Sequence, residues 1–298
     1  KVQALYWNAF KSRTNKKVLE EVRAAKPDAV ISIGGEHLYA GTVEAMRQGG
    51  DIPVAAWVTG EPATLDPLDP YRWMNFSSYS HFFVVDELWG ESLKLLPIPR
   101  ASLPFAGNDE VFRPVSVSKD IKDIDVLFVG DLFPSHPHTA SGFVRAKILR
   151  ALKQEQLVTK ALVPGAEKLK YFFPGLAQGI GVHGAKSLIQ INQFLNRAKV
   201  VVYINTILLK TGFDAMLYNI ALSGSFVITD HKSNAGHLFD GHLVAAKDPE
   251  QLVEKVRYYL THAAEREDSA RKIRQIALER HTYAQRAKEI LRHIQSTV

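Results

Sequence analysis

The chain has 298 residues, of which 46% are hydrophobic and 23% charged, with 37 Lys and Arg against 31 Asp and Glu for a net charge of +6. Such a length suggests two domains, each with enough apolar material for its own core. With no cysteine there is no disulfide, no thiol nucleophile and no thiolate metal site. That fits a reducing cytoplasm, and the first residues show no signal-peptide pattern. No apolar run approaches the ~20 residues that span a bilayer.

In chain order, residues 2–7 (VQALYW), 28–33, 52–58, 81–86 and 101–105 are predicted as five strands. Between them, 15–25, 38–48 and 87–95 are predicted helices. The strand runs are apolar without alternation, as in parallel strands covered on both faces. A polar, proline-marked connector, GNDEVFRPVSVSKDIKD, follows. A second series then begins, with strands at 125–130, 158–163, 179–184, 199–205, 225–230 and 242–246. Its helices are predicted near 139–153, 187–197, 213–222, 249–261, 263–280 and 282–295. In the last of these, Tyr283, Ala287, Ile290, Leu291 and Ile294 share one face.

Two βαβ series joined by a linker imply an α/β protein of two doubly wound, Rossmann-like domains facing across a cleft, with boundaries at 1–106 and 107–298. The last helix is expected to pack back on the first domain. Ligands of such sheets bind beyond the carboxyl ends of the strands. Basic residues late in the chain, Arg266 to Arg292, are spaced among acids at helical intervals. They read as a solvated helix face or as attraction to an anionic partner, such as a nucleotide, a phospholipid surface or nucleic acid. They form no concentrated stripe, so nucleic acid is not an expected partner.

Three segments carry a resemblance. LPFAGNDEVFRP (103–114) resembles the interdomain connector of bacterial glycosyltransferases with the GT-B fold. DIDVLFVGDL (123–132) resembles the first strand and loop of their donor-binding domain. The run from FLNRAKVVVYIN through LSGSFVITD to the C-terminal helices is similar, in order and spacing, to spore-maturation-type glycosyltransferases, relatives of the group-1 family. The likeness covers about 103–298 well. The first domain shares only its strand rhythm.

The resemblance implies a hexosyltransferase-like enzyme that takes a nucleoside-diphosphate sugar as donor, with no cofactor or metal and with retention of anomeric configuration favoured. It places the donor diphosphate at Lys210, Thr211, Gly212, Phe213 and Asp214. There Gly212 would let backbone N–H groups approach a phosphate, and Lys210 would supply countercharge. Otherwise Gly212 merely starts a helix and Lys210 is solvated. Gly130 and Asp131 would line the phosphates, and Val182, His183 and Gly184 the nucleotide base. Asn219 stands where the family has a glutamate on the ribose, and Thr211 where many relatives have another; Asn lacks a charged acceptor.

In the first domain, GGEH and TGEP end two strands and would face the acceptor through Gly35, Glu36 and Gly60. Glu61 is the candidate catalytic base if the enzyme inverts, and His37 the second candidate. Ordinary turn chemistry explains the same residues. Tyr71, Trp73 and Trp89 could stack on a sugar or belong to the core. The pair His136 and His138 lacks a carboxylate partner in sequence, so a plain loop is the simpler reading than a metal site. Loss of both glutamates admits a non-catalytic nucleotide- or sugar-binding protein on the same fold, and the positive charge admits transfer to modified DNA.

Overall fold

The computed structural model describes residues 2–35, 37–48, 52–62, 72–115, 122–133, 140–176, 178–184 and 187–297. The chain forms two compact units, Lys1–Pro104 with Lys288–Val298, and Phe105–Ala287.

The first unit opens with helix α1, Val2–Ala25, and not with a strand. No glycine or proline interrupts the chain before Pro27, so a helix once nucleated propagates through the apolar start. Its Val18, Leu19 and Val22 pack on the core of the unit at helical spacing. Strands β1 (Val30–Ile33), β2 (Val54–Val58), β3 (His81–Val84) and β4 (Arg100–Ser102) make a parallel sheet in the order 1-2-3-4. Helices α2 (Ala40–Gln48), α3 (Arg72–Phe76) and α4 (Glu87–Ser92) connect them. Both faces of β2 and β3 are buried, as their unbroken apolar runs predict. At the edge strand β1 the expectation fails, for Ile31 and Ile33 are exposed.

The second unit is a six-stranded parallel sheet, β5 (Ile124–Val129), β6 (Lys160–Leu162), β7 (Gly181–His183), β8 (Ala198–Tyr203), β9 (Val227–Asp230) and β10 (Val244–Ala246), in the order 10-9-8-5-6-7. Its helices are α5 (Ser141–Gln154), α6 (Leu169–Phe172), α7 (Leu188–Arg197), α8 (Ala215–Leu222), α9 (Ala235–Leu238), α10 (Pro249–Thr261) and α11 (Ala263–Arg280). Alternate strand residues feed two cores. Val126, Phe128, Val200 and Val202 join one, while Leu127, Val129, Val201 and Tyr203 join the other.

Helix α12, Tyr283–Thr297, passes from the second unit into the first. Its buried side is Arg286, Ile290 and Ile294, while Tyr283, Ala287 and Leu291 of the predicted face are exposed. The arginine can take the place of an apolar residue on this side because its guanidinium is hydrogen-bonded, donating to the carbonyls of Arg280 and Phe105 and to the ring of His281. In the first unit His293 packs edge-on against Phe83 and His81.

Candidate functional site

In the second unit, strand order reverses between β5 and β8, the switch point at which an open α/β sheet exposes a crevice at its carboxyl edge. One side chain ties the two strand ends together. Arg145, 9% exposed on α5, donates from Nε to the Ile204 carbonyl (2.7 Å) and from Nη1 to the Asp131 carbonyl (3.1 Å). Gly130 lies against this guanidinium, and a Cβ there would sit 3.2 Å from Arg145 Cδ. The Asp131 carboxylate turns back to accept from the Phe133 N–H at 2.8 Å. At the start of α5, Ser141 Oγ accepts from the Ile207 N–H and lies 3.1 Å from the Thr206 hydroxyl. Its neighbour Gly142 must be glycine, because a Cβ would fall 2.3 Å from the Leu132 carbonyl.

Asn205, 1% exposed, organises the next loop. Its amide donates to Asp230 Oδ1 (3.1 Å) and Thr229 Oγ1 (3.2 Å), and its Oδ1 accepts from the Asp214 N–H (3.1 Å). The segment 206–213 is therefore pinned at both ends. Lys232 adds a second clasp, 3.2 Å from the Asp230 carboxylate and donating to the Leu209 carbonyl at 2.6 Å. The Thr211 carbonyl accepts from the Asn234 N–H. Thr211, Gly212 and Phe213 are buried and Lys210 is exposed.

Asp214 is the N-cap of α8, accepting from the Met216 N–H, and Tyr203 donates its hydroxyl to the same carboxylate. Burial raises the pKa of Asp214 despite the Tyr203 hydrogen bond and the charge of Arg145, which both oppose it. Burial, followed by the Asp214 charge, holds the Tyr203 phenol well above its usual range. One donor at the tip of α8 is thus already used, and the Asp214 N–H is taken by Asn205.

Asn219, 9% exposed, faces the connector, and its Oδ1 accepts from the Asn108 N–H at 2.9 Å. Connector and helix are in contact here: a Cβ on Gly107 would lie 2.4 Å from Leu222 Cδ1. Val182, His183 and Gly184 end β7, two strands from β5. Val182 is half-buried, while His183 and Gly184 are exposed, with the His183 ring 5.1 Å from Phe194.

In the first unit Gly34 and Gly35 adopt φ of 90° and 80°. Gly35 passes so close to the core that a Cβ would meet Ala56 and Phe76 at 2.9 Å, and its carbonyl accepts from the Tyr79 hydroxyl. Asn15 of α1 holds the next turn, donating to the His37 carbonyl and accepting from the Tyr39 N–H. His37 is exposed; Gly60 and Glu61 are half-buried just beyond β2. Trp89 is buried in this unit, 4% exposed, so it is a core residue. Glu36, Tyr71, His136 and His138 lie outside the described residues, as does the side chain of Trp73. Among the described residues no three His, Asp or Glu side chains converge on a metal position, and no helix is long and apolar enough to cross a membrane.

Residues 145–292 match the family described as glycosyl transferase-like. That stretch, most of the second unit, is a glycosyltransferase domain of the group-1 type. Its fold is shared by sucrose-phosphate synthase of Thermosynechococcus elongatus, with a TM-score of 0.68 and 12% identity over 96% of this chain and 78% of that one. The Anabaena HepE protein in complex with UDP-glucose gives 0.66 and 11%, over 95% and 82%. The pneumococcal O-GlcNAc transferase GtfA in complex with UDP and GlcNAc gives 0.59 and 15%, over 94% of this chain but 59% of that one. No curated protein sequence matches the chain. These likenesses fix the fold class as the two Rossmann-like domains of the GT-B type.

The sequence reading missed the residues that tie this glycosyltransferase's switch point: Ser141, Arg145, Tyr203, Asn205, Asp230 and Lys232. Two had a legible signal, since Asn205 and Asp230 are the polar residues that end the apolar runs VVVYI and SFVIT. Arg145 had none. It lies inside a helix, fourteen residues beyond the loop it braces.

Proposed function

We propose that the enzyme transfers a hexosyl group from a UDP-sugar to an acceptor without a metal, holding the diphosphate at the carboxyl edge of the second unit. Backbone N–H groups of Thr211, Gly212 and Phe213 meet the phosphates, Gly130 and Asp131 line them, and Lys210 balances the charge of the leaving diphosphate. Asp214 positions α8. Val182, His183 and Gly184 flank the base. Asn219 has spent its carbonyl oxygen on Asn108, so it offers a ribose hydroxyl its amide N–H as donor. Gly35, Glu36 and Gly60 form the acceptor side, with Glu61 and then His37 as the groups that would handle the acceptor's proton. Retention of configuration is the favoured outcome, and the cytoplasm the place of action.

The observation that carries this reading is the tied switch point, where Arg145 and Asn205 fix both strand ends and the loop between them. UDP is the proposed nucleotide because two of the fold neighbours are described with UDP or UDP-glucose. The test is calorimetric titration with UDP in EDTA, for the native chain and for Asn219→Glu. Saturable binding, at least threefold tighter in the variant, is expected from a charged acceptor at the ribose. Absence of binding at millimolar UDP overturns the donor assignment. Unchanged affinity in a folded variant overturns the role of Asn219.

A further inference from the structure

The same sheet has a second feature at its amino edge, the end opposite the switch point. A cavity of about 220 Å³ opens where Lys122 precedes β5 and Gly224 precedes β9. Lys122, Arg266, Arg271 and Arg274 line it beside the apolar Pro114, Phe226 and Ala270, with Glu267 the only acid among its described lining residues. Arg266, Ala270 and Arg274 follow one another at four-residue steps on α11, so the two guanidiniums project from one helix face. Gly224 has a φ of 76°, and a Cβ there would approach Pro114 and Arg274, so glycine both makes the turn and keeps the floor open.

Lys122, Arg266 and Arg274 make no ion pair among the described residues. Arg266 is 6% exposed; its Nη1 donates to the Tyr259 carbonyl at 2.6 Å, but its buried Nε has no hydrogen-bond partner among the described residues. Arg274 spends its Nε on the Leu222 carbonyl. Arg271 pairs with Asp268 at the rim. Glu267 is exposed and makes no ion pair among the described residues. The Lys122 ammonium is driven below its usual pKa by burial and then by the charge of Arg266, with Glu267 opposing. An excess of positive charge lining one cavity is a feature that an anion would complete.

We infer that this cavity is a site for a phosphate group, free or at the end of a small phosphate ester, gripped by Lys122, Arg266 and Arg274. Three converging cations suit the two negative charges and several acceptor oxygens of a phosphate better than the single charge of a carboxylate. The small cavity excludes a polymer, and its place at the amino edge separates it from the donor loop, so its occupant is a second ligand that stabilises the domain without joining the transfer.

The experiment is a thermal-shift and calorimetric titration with inorganic phosphate, against chloride at matched ionic strength, for the native chain and for Lys122→Gln. Lys122 carries no hydrogen bond or ion pair among the described residues, so the variant should fold. Removing one of several repelling cations should raise its phosphate-free Tm above the native value. Phosphate should raise the native Tm saturably, and the variant should bind it at least tenfold more weakly. Glycerol phosphate distinguishes the sources: tighter binding than inorganic phosphate assigns an ester, weaker binding the free ion. A chloride response equal to that of phosphate, or the same phosphate affinity in both chains, overturns the site.

Discussion

His281 offers a prediction whose size follows from its surroundings. The residue joins α11 to α12 and is 5% exposed. Its Nε2 donates to the Leu238 carbonyl at 2.7 Å, and its Nδ1 accepts from Arg286 at 2.7 Å, so the ring is neutral. The ring lies 5.1 Å from Tyr218 of α8 and 5.2 Å from Phe239, and its carbonyl takes the Gly107 N–H of the connector. Burial lowers its pKa from 6.5 to about 4, aided by Arg286 and Arg280 and opposed by the Leu238 carbonyl and Asp240. A folded pKa below the unfolded one means that the unfolded chain binds the extra proton first. The stabilisation is therefore complete above the unfolded value and is lost as pH falls through the window down to about 4. A shift of this size amounts to about 3 kcal/mol, of which about 2 kcal/mol is lost between pH 7 and pH 5.

The perturbation is His281→Gln, which keeps an amide donor and a carbonyl acceptor but cannot titrate. Urea unfolding across this range should show the native chain losing its advantage over the variant by about 2 kcal/mol. Tryptophans 7, 57, 73 and 89 all precede residue 105, so far-UV circular dichroism is the appropriate probe of the second unit. Parallel pH dependences for the two chains would refute the buried neutral imidazole.

Two further predictions concern the switch point. Asn205→Ala removes two donated bonds, one to a carboxylate, and the acceptor for the Asp214 N–H; a loss of about 3 kcal/mol and weaker UDP binding are expected from denaturation and calorimetry. Asp214→Asn keeps a capping oxygen for Met216 while removing a charge whose pKa burial has raised. The native carboxylate costs stability above its raised folded pKa and that cost vanishes as pH falls towards the unfolded value, so the variant should be the more stable at neutral pH and lose its lead in acid.

How much of this was legible beforehand varied with the kind of signal. Among the described residues each strand of the second unit overlaps its predicted run, with β5 and β8 starting one residue earlier, because an apolar stretch bounded by turn residues has few other uses in a chain of alternating βα units. VQALYW failed because a short apolar run fits a helix as well as a strand, and only its continuity with the packed turn at Val18–Val22 decides between them. Asn219 was legible as a departure from the family's glutamate. Its partner, Asn108, lies 111 residues away in sequence, and no local pattern could pair them.

By itself the sequence determined the class: two βα series, their order, the connector, and the glycine-bearing loop before α8. Those depend on local periodicity and turn chemistry, which act within a few residues. Tertiary structure alone decided that Arg145 bridges β5 and β8, that Asp214 serves as a cap, and that Lys122, Arg266 and Arg274 share one cavity. Each of these joins residues brought together only when the strands take the order 10-9-8-5-6-7, and the energies at stake, desolvation and charge, exist only after burial.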